Sequence, residues 1–93
     1  MDRTHGFIFV CSNETEAECL DGNLFGLPRH KWELVQRNVG PGTVCFLLNF
    51  QTRRLTGPWI ASELGLNLRP ETWNGRYPSQ VVVRPAWGSR ARP

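Results

Sequence analysis

The sequence predicts a mainly β fold with short α elements, a small, partly open antiparallel β-barrel, and three observations carry that expectation. Most strand-like segments are apolar on both faces, which suits a closed or half-closed sheet better than one with a face in water. Turn formers separate those segments at short intervals. The chain has 93 residues, room for one packed core and not for two. It is therefore read as one domain over residues 1–93, ordered over about 6–84, with residues 85–93 as a frayed tail.

Residues 6–11 form a compact apolar run, rich in aromatic and β-branched types, that reads as a buried strand. Asn13, with Glu16 three residues on, has N-cap and capping-box character, and Ala17, Cys19 and Leu20 give a small apolar face to a short helix ended by Asp21-Gly22-Asn23. Residues 24–28, Leu-Phe-Gly-Leu-Pro, hold too many breakers for regular structure and are too apolar for water, so they read as a sheltered loop. Residues 32–35 fit a helical turn or a short strand, and Gly40-Pro41-Gly42 is a turn. Residues 43–50 alternate Val44, Phe46, Leu48 and Phe50 with Cys45, Leu47 and Asn49, apolar on both sides, as in a central strand. A hairpin loop at 51–53 returns the chain antiparallel over 54–62, with Gly57-Pro58 as a bulge or local break. Residues 64–74 read as irregular, and residues 80–84 as a last strand.

No apolar run approaches the roughly 20 residues that cross a bilayer, and no secretory signal stands at the start, so a cytoplasmic location without membrane contact is expected. Cys11, Cys19 and Cys45 make an odd count with no C-x-x-C pair, which predicts free thiols and no metal. No phosphate-binding loop, dinucleotide fingerprint, nucleophile elbow or zinc-protease motif occurs, so the chain is read as a non-enzyme that needs no cofactor. Charge is uneven. Residues 1–36 carry three basic and six acidic side chains, a net of −3, whereas residues 37–93 carry eight arginines against two glutamates, a net of +6. Arginine's planar fork suits phosphate, although the same charge also serves solubility.

Four blocks succeed one another: Gly6-Phe7-Ile8-Phe9-Val10-Cys11-Ser12-Asn13-Glu14-Thr15 with Glu18-Cys19; Leu24-Phe25-Gly26-Leu27-Pro28; Gly40-Pro41-Gly42-Thr43 with the strand through Phe50; and the stretch from Asn67-Leu68-Arg69-Pro70 through Trp73-Asn74-Gly75-Arg76-Tyr77 to Val81. In this order they resemble the development and cell death (DCD) domain over nearly the whole chain. That domain is similar to the PUA-like group, whose YTH and EVE members hold a modified base in an aromatic pocket. The resemblance implies a PUA-like barrel and a non-catalytic module that binds a modified, methylated base flipped out of DNA or RNA, acting beside an effector domain or nuclease. In the comparison with YTH domains, Trp73 falls at a cage tryptophan, Phe25 near a second wall, and Ser12-Asn13 where polar groups meet the base edge. Leu68, five residues before Trp73, departs from that pattern because it is not aromatic.

The physical requirements run parallel. An extruded base needs stacking walls, contacts to its pairing edge and cations for the backbone. Phe25, Trp59 and Trp73 are candidate walls with Leu68 beside them; Ser12, Asn13 and Asn74 are candidate edge contacts; Arg53, Arg54, Arg69 and Arg76 are candidate phosphate contacts. Each has a plainer explanation. Phe25 and Trp59 suit a core equally well, Ser12 and Asn13 suit a helix cap, and arginines in a hairpin suit solvent. The alternative function is a protein-interaction or stress-signalling module, binding a peptide or partner protein through the apolar 24–28 segment and exposed tryptophans.

Overall fold

The computed structural model describes residues 6–86. Its elements run β1 (Gly6–Cys11), α1 (Asn13–Gly22), β2 (Leu24–Leu27), a 3-10 turn (Arg29–Lys31), α2 (Trp32–Asn38), β3 (Val44–Asn49), β4 (Arg54–Leu66), a second 3-10 turn (Thr72–Gly75) and β5 (Ser79–Pro85). The five strands make one sheet in the order β1-β3-β4-β5-β2. β1 and β2 stand at opposite ends of that order, yet the rings of Phe9 and Phe25 lie 5.5 Å apart. The sheet is therefore curled into a half-barrel. Phe9, Phe25, Val35, Leu47 and Val81 fill its interior, and no helix among the described residues is long and apolar enough to cross a membrane.

Several local expectations change. Three strand pairings are antiparallel, but β1 runs parallel to β3, with Gly6 opposite Val44 and Cys11 opposite Asn49. A parallel pair needs a long crossover, and residues 12–43, with α1, β2 and α2, supply it. Residues 24–28 are not a loop: residues 24–27 pair with Ser79–Val82 of β5, a partner too distant in sequence to be read locally. Pro28, without an N–H to donate, ends the strand. Ser12 rather than Asn13 is the N-cap of α1, because Ser12 has extended backbone and its N–H donates to Thr15 Oγ1 at 3.1 Å. β4 continues to Leu66 by shifting register between Ala61 and Glu63, and it contains a cis Gly57-Pro58 bond. β5 reaches Pro85, so the expected tail does not begin there, and residues 87–93, including Trp87, lie outside the described residues.

Two buried amides fix the parts around the sheet. Asn49 Nδ2 donates to Asn13 Oδ1 at 3.0 Å and Glu16 Oε1 at 3.1 Å, while its Oδ1 accepts from the N–H groups of Gln51 and Thr52. Gln80 Nε2 donates to the carbonyls of Arg69 and Tyr77, and its Oε1 accepts from Arg69 N–H at 2.7 Å. The first ties the start of α1 to the β3–β4 turn. The second folds the β4–β5 connection back over the sheet.

Candidate functional site

A cleft of about 310 Å³ opens where the end of β1, the start of α1, the end of β2 and the β4–β5 connection converge. Phe50, Trp73 and Tyr77 supply its aromatic surface, and Ser12, Glu14 and Thr15 its polar one. Cys11 and Cys19 lie at its base. Burial, reinforced by Glu16, pushes the Cys11 thiol up to about 11. Burial, then the neighbouring Cys11, Glu16 and Glu18, pushes Cys19 up to about 12. Both are therefore protonated at neutral pH, poor nucleophiles and poor metal ligands. Among the described residues all three cysteines are free, and no cluster of histidine, cysteine and acidic groups has a geometry that could hold a metal.

Trp73 is held from three sides. Its Nε1 donates to the Thr15 carbonyl at 3.4 Å. Its ring meets Tyr77 edge to face, with centroids 5.7 Å apart. Its far edge lies on Gly26, where a β-carbon would stand 2.5 Å from Cζ3. The backbone under it is unusual: Trp73 and Asn74 both adopt left-handed geometry, at φ 53° and 56°, and Gly75 follows at 77°. A bulky aromatic residue in that region is strained, and such strain persists only where the surroundings enforce it, most often at functional sites. Arg76 Nε donates to the Trp73 carbonyl at 3.3 Å, and its guanidinium lies 5.5 Å from the Tyr77 ring centre.

The structure brings together only part of the expected constellation. Ser12 and Trp73 line the cleft; Phe25 and Trp59 do not. They are core residues, 0% and 5% exposed, packed against each other with centroids 5.5 Å apart, because both point to the concave side of the curled sheet. Asn13 spends its side-chain oxygen on Asn49 and its N–H on Gln51 Oε1 at 2.7 Å. Leu68 packs over Gly65 of β4, and Asn74 is exposed outside the cleft lining. Arg69 donates to the Gly22 carbonyl at 2.7 Å, closing the end of α1. Arg53 and Arg54 are exposed on the β3–β4 turn, which Gln51 ties to the start of α1 beside the cleft. Phe50 and Tyr77 were missed as walls. Phe50 alternates with the strand and reads as its last apolar residue, and Tyr77 shows its role only through its neighbour Trp73.

Comparison with known proteins agrees with the order of the motifs. The family model of the development and cell death domain matches residues 5–91. The DCD domain-containing protein NRP-A of Glycine max is 41% identical over 86 residues, covering 84% of this chain and 23% of its own length. The B2 protein of Daucus carota is 40% identical over 86 residues, covering 84% of this chain and 41% of its own. The DCD domain-containing protein NRP of Arabidopsis thaliana is 43% identical over 84 residues, covering 82% and 24%. The chain thus spans between about a quarter and two fifths of these relatives. With a family model covering nearly every residue from the first strand to the last, this chain belongs to the development and cell death domain family.

Proposed function

We propose that this domain is a non-catalytic, PUA-like reader that takes a modified base, flipped from DNA or RNA, into the cleft between α1, β2 and the β4–β5 connection. The observation that carries the reading is the strained, triply held Trp73, which lines a cleft of about 310 Å³ together with Tyr77 and Phe50. The Ser12 hydroxyl, hydrogen-bonded at 3.3 Å to the buried Thr15 hydroxyl, and the Glu14 carboxylate line the cleft and suit the polar edge of a base. The exposed arginines Arg76, on the β4–β5 connection, and Arg53 and Arg54, on the β3–β4 turn, suit a strand's phosphates. The alternative, partner binding through residues 24–28, loses its exposed apolar surface because Leu24 and Phe25 are buried.

The test is binding of the purified domain to oligonucleotides with and without methylated bases. Phe50 is 56% exposed, so Phe50→Ala leaves the fold intact and removes a wall; it is expected to lower affinity for the preferred modified strand by roughly five- to 150-fold, corresponding to about 1–3 kcal/mol of stacking. Trp73 is 3% exposed, so Trp73→Ala would also lower stability and is the weaker probe. No preference for any modified base, or a preference untouched by Phe50→Ala and Tyr77→Ala, overturns the reading.

A further inference from the structure

Among the described residues, the cleft between α1, β2 and the β4–β5 connection has one charged side chain in its lining, the carboxylate of Glu14. Glu14 is exposed on the first turn of α1, and among the described residues its carboxylate takes part in no hydrogen bond or ion pair. Phe50, Trp73 and Tyr77 share the lining. Arg76 approaches the Tyr77 ring, 5.5 Å from its centre, but does not line the cleft, and neither do Arg53 and Arg54. The N-terminus of α1 brings a partial positive charge of about half a unit, and Glu14 and Glu16 on its first turn more than offset it. We propose that the cleft selects a base that is itself a cation, methylated on a ring nitrogen so that it carries a positive charge at neutral pH. The inference rests on the reading of this cleft as a modified-base pocket and names the class of base it takes.

A positive charge is drawn to the quadrupole of an aromatic ring within about 6 Å of its centre and to a carboxylate, and a pocket that sheds water strengthens both attractions. Adenine methylated at N1 and cytosine methylated at N3 offer such a charge. Each shares it with the exocyclic amino group, whose N–H donates to a carboxylate in a charge-assisted hydrogen bond. Adenine methylated at N6 and cytosine methylated at C5 carry the same methyl group on the same base without the charge, so they offer Glu14 only an ordinary hydrogen bond. The field at the base of the cleft has the matching sign. Burial first, then Glu16 for Cys11, and then Cys11, Glu16 and Glu18 for Cys19, hold both thiols protonated. A methylated lysine is a cation too, but a basic peptide around it would meet a chain of net charge +3 with Arg53, Arg54 and Arg76 exposed. Those charges repel such a peptide and attract a phosphate backbone, which favours a nucleic acid as the carrier.

Fluorescence-anisotropy titration of the purified chain with short single strands tests the proposal. Each strand is made as RNA and as DNA, so that the two arms tell which carries the base: unmodified, with N6-methyladenine or 1-methyladenine, and in a second set with 5-methylcytosine or 3-methylcytosine. In at least one set the cationic isomer is expected to bind about three- to thirtyfold more tightly than the neutral one. Glu14→Gln keeps the side chain's length and an accepting oxygen and removes its charge. It is expected to bring the cationic isomer down to the level of the neutral one, with binding of the neutral one and the melting temperature as in wild type. Neutral isomers bound at least as tightly as their cationic partners in both sets, yet more tightly than unmodified strands, would overturn this inference and leave the modified-base reading standing. Modified strands bound no better than unmodified ones would overturn both. A cation preference that survives Glu14→Gln, or a trimethyl-lysine peptide bound more tightly than every strand, would also overturn the inference.

Discussion

A β-carbon at position 26 would stand 2.5 Å from Trp73 Cζ3 and 2.9 Å from the Tyr77 carbonyl oxygen, the latter a backbone atom that cannot turn aside. Gly26→Ala is therefore expected to push Trp73 out of its seat and to destabilise the fold by about 1–3 kcal/mol, read as a fall in melting temperature with altered tryptophan fluorescence. The cysteines give a second residue-level expectation. Cys11, Cys19 and Cys45 have folded pKa values of about 11, 12 and 11 against an ordinary 9.0, with burial the main cause. The folded state holds these protons more tightly than the unfolded chain does. Their stabilising effect is complete below pH 9 and is lost as pH rises through 11, so the denaturation midpoint should fall over that window and hold steadier in a Cys19→Ala background. Alkylation at neutral pH should be slow until denaturant is added. Trp73 was readable as a site candidate because an aromatic residue among polar neighbours in an irregular segment has no strand to belong to. Phe25 stayed evenly divided between wall and core, since its burial depends on β5, more than fifty positions away.

At the level of elements, strands that are compact apolar runs or alternate strictly were legible, β1 among them although its partner lies 38 positions on, and β2, broken by a glycine, was not. The β3–β4 hairpin declares itself through a turn between two apolar runs. β2 hides behind Gly26 and Pro28, which are breakers in isolation but permit, respectively, the Trp73 contact and a clean strand end. The cap of α1 was misplaced by one residue because Asn13 and Ser12 are equally good caps in sequence; the choice falls to Ser12 once Asn49 claims the Asn13 side chain. Asn49, 0% exposed, joins two elements through four hydrogen bonds. Asn13, Gln51 and Thr52 are exposed and can turn to water, so Asn49→Ala should cost about 1–3 kcal/mol in all. Hydrogen exchange should show the loss concentrated at the start of α1 and at residues 50–53, with β5 little changed.

For the whole molecule, the uneven charge read from the sequence becomes a statement about binding. If Arg53, Arg54 and Arg76 meet phosphates, the logarithm of the binding constant should fall with the logarithm of salt concentration by about 0.7 to 0.9 per phosphate neutralised. Arg54→Ala and Arg76→Ala should each flatten that slope by about one contact. Titrations at several salt concentrations check this; a flat response would favour a protein partner. The barrel class was legible because apolar content on both strand faces is a global property. The mixed pairing was not, because it depends on where a crossover brings the chain back. That same topology sets an order in time. β1 pairs with residues 44–49, and β2 with residues 79–82. Both early strands are thus made long before their partners exist. While the ribosome is still adding residues, Phe7, Phe9 and Phe25 have only one another to lie against, and no part short of β5 gives β2 a strand to pair with. Chains halted before residue 79 should accordingly remain sensitive to protease and prone to capture by chaperones, becoming resistant in a single late step once β5 has emerged.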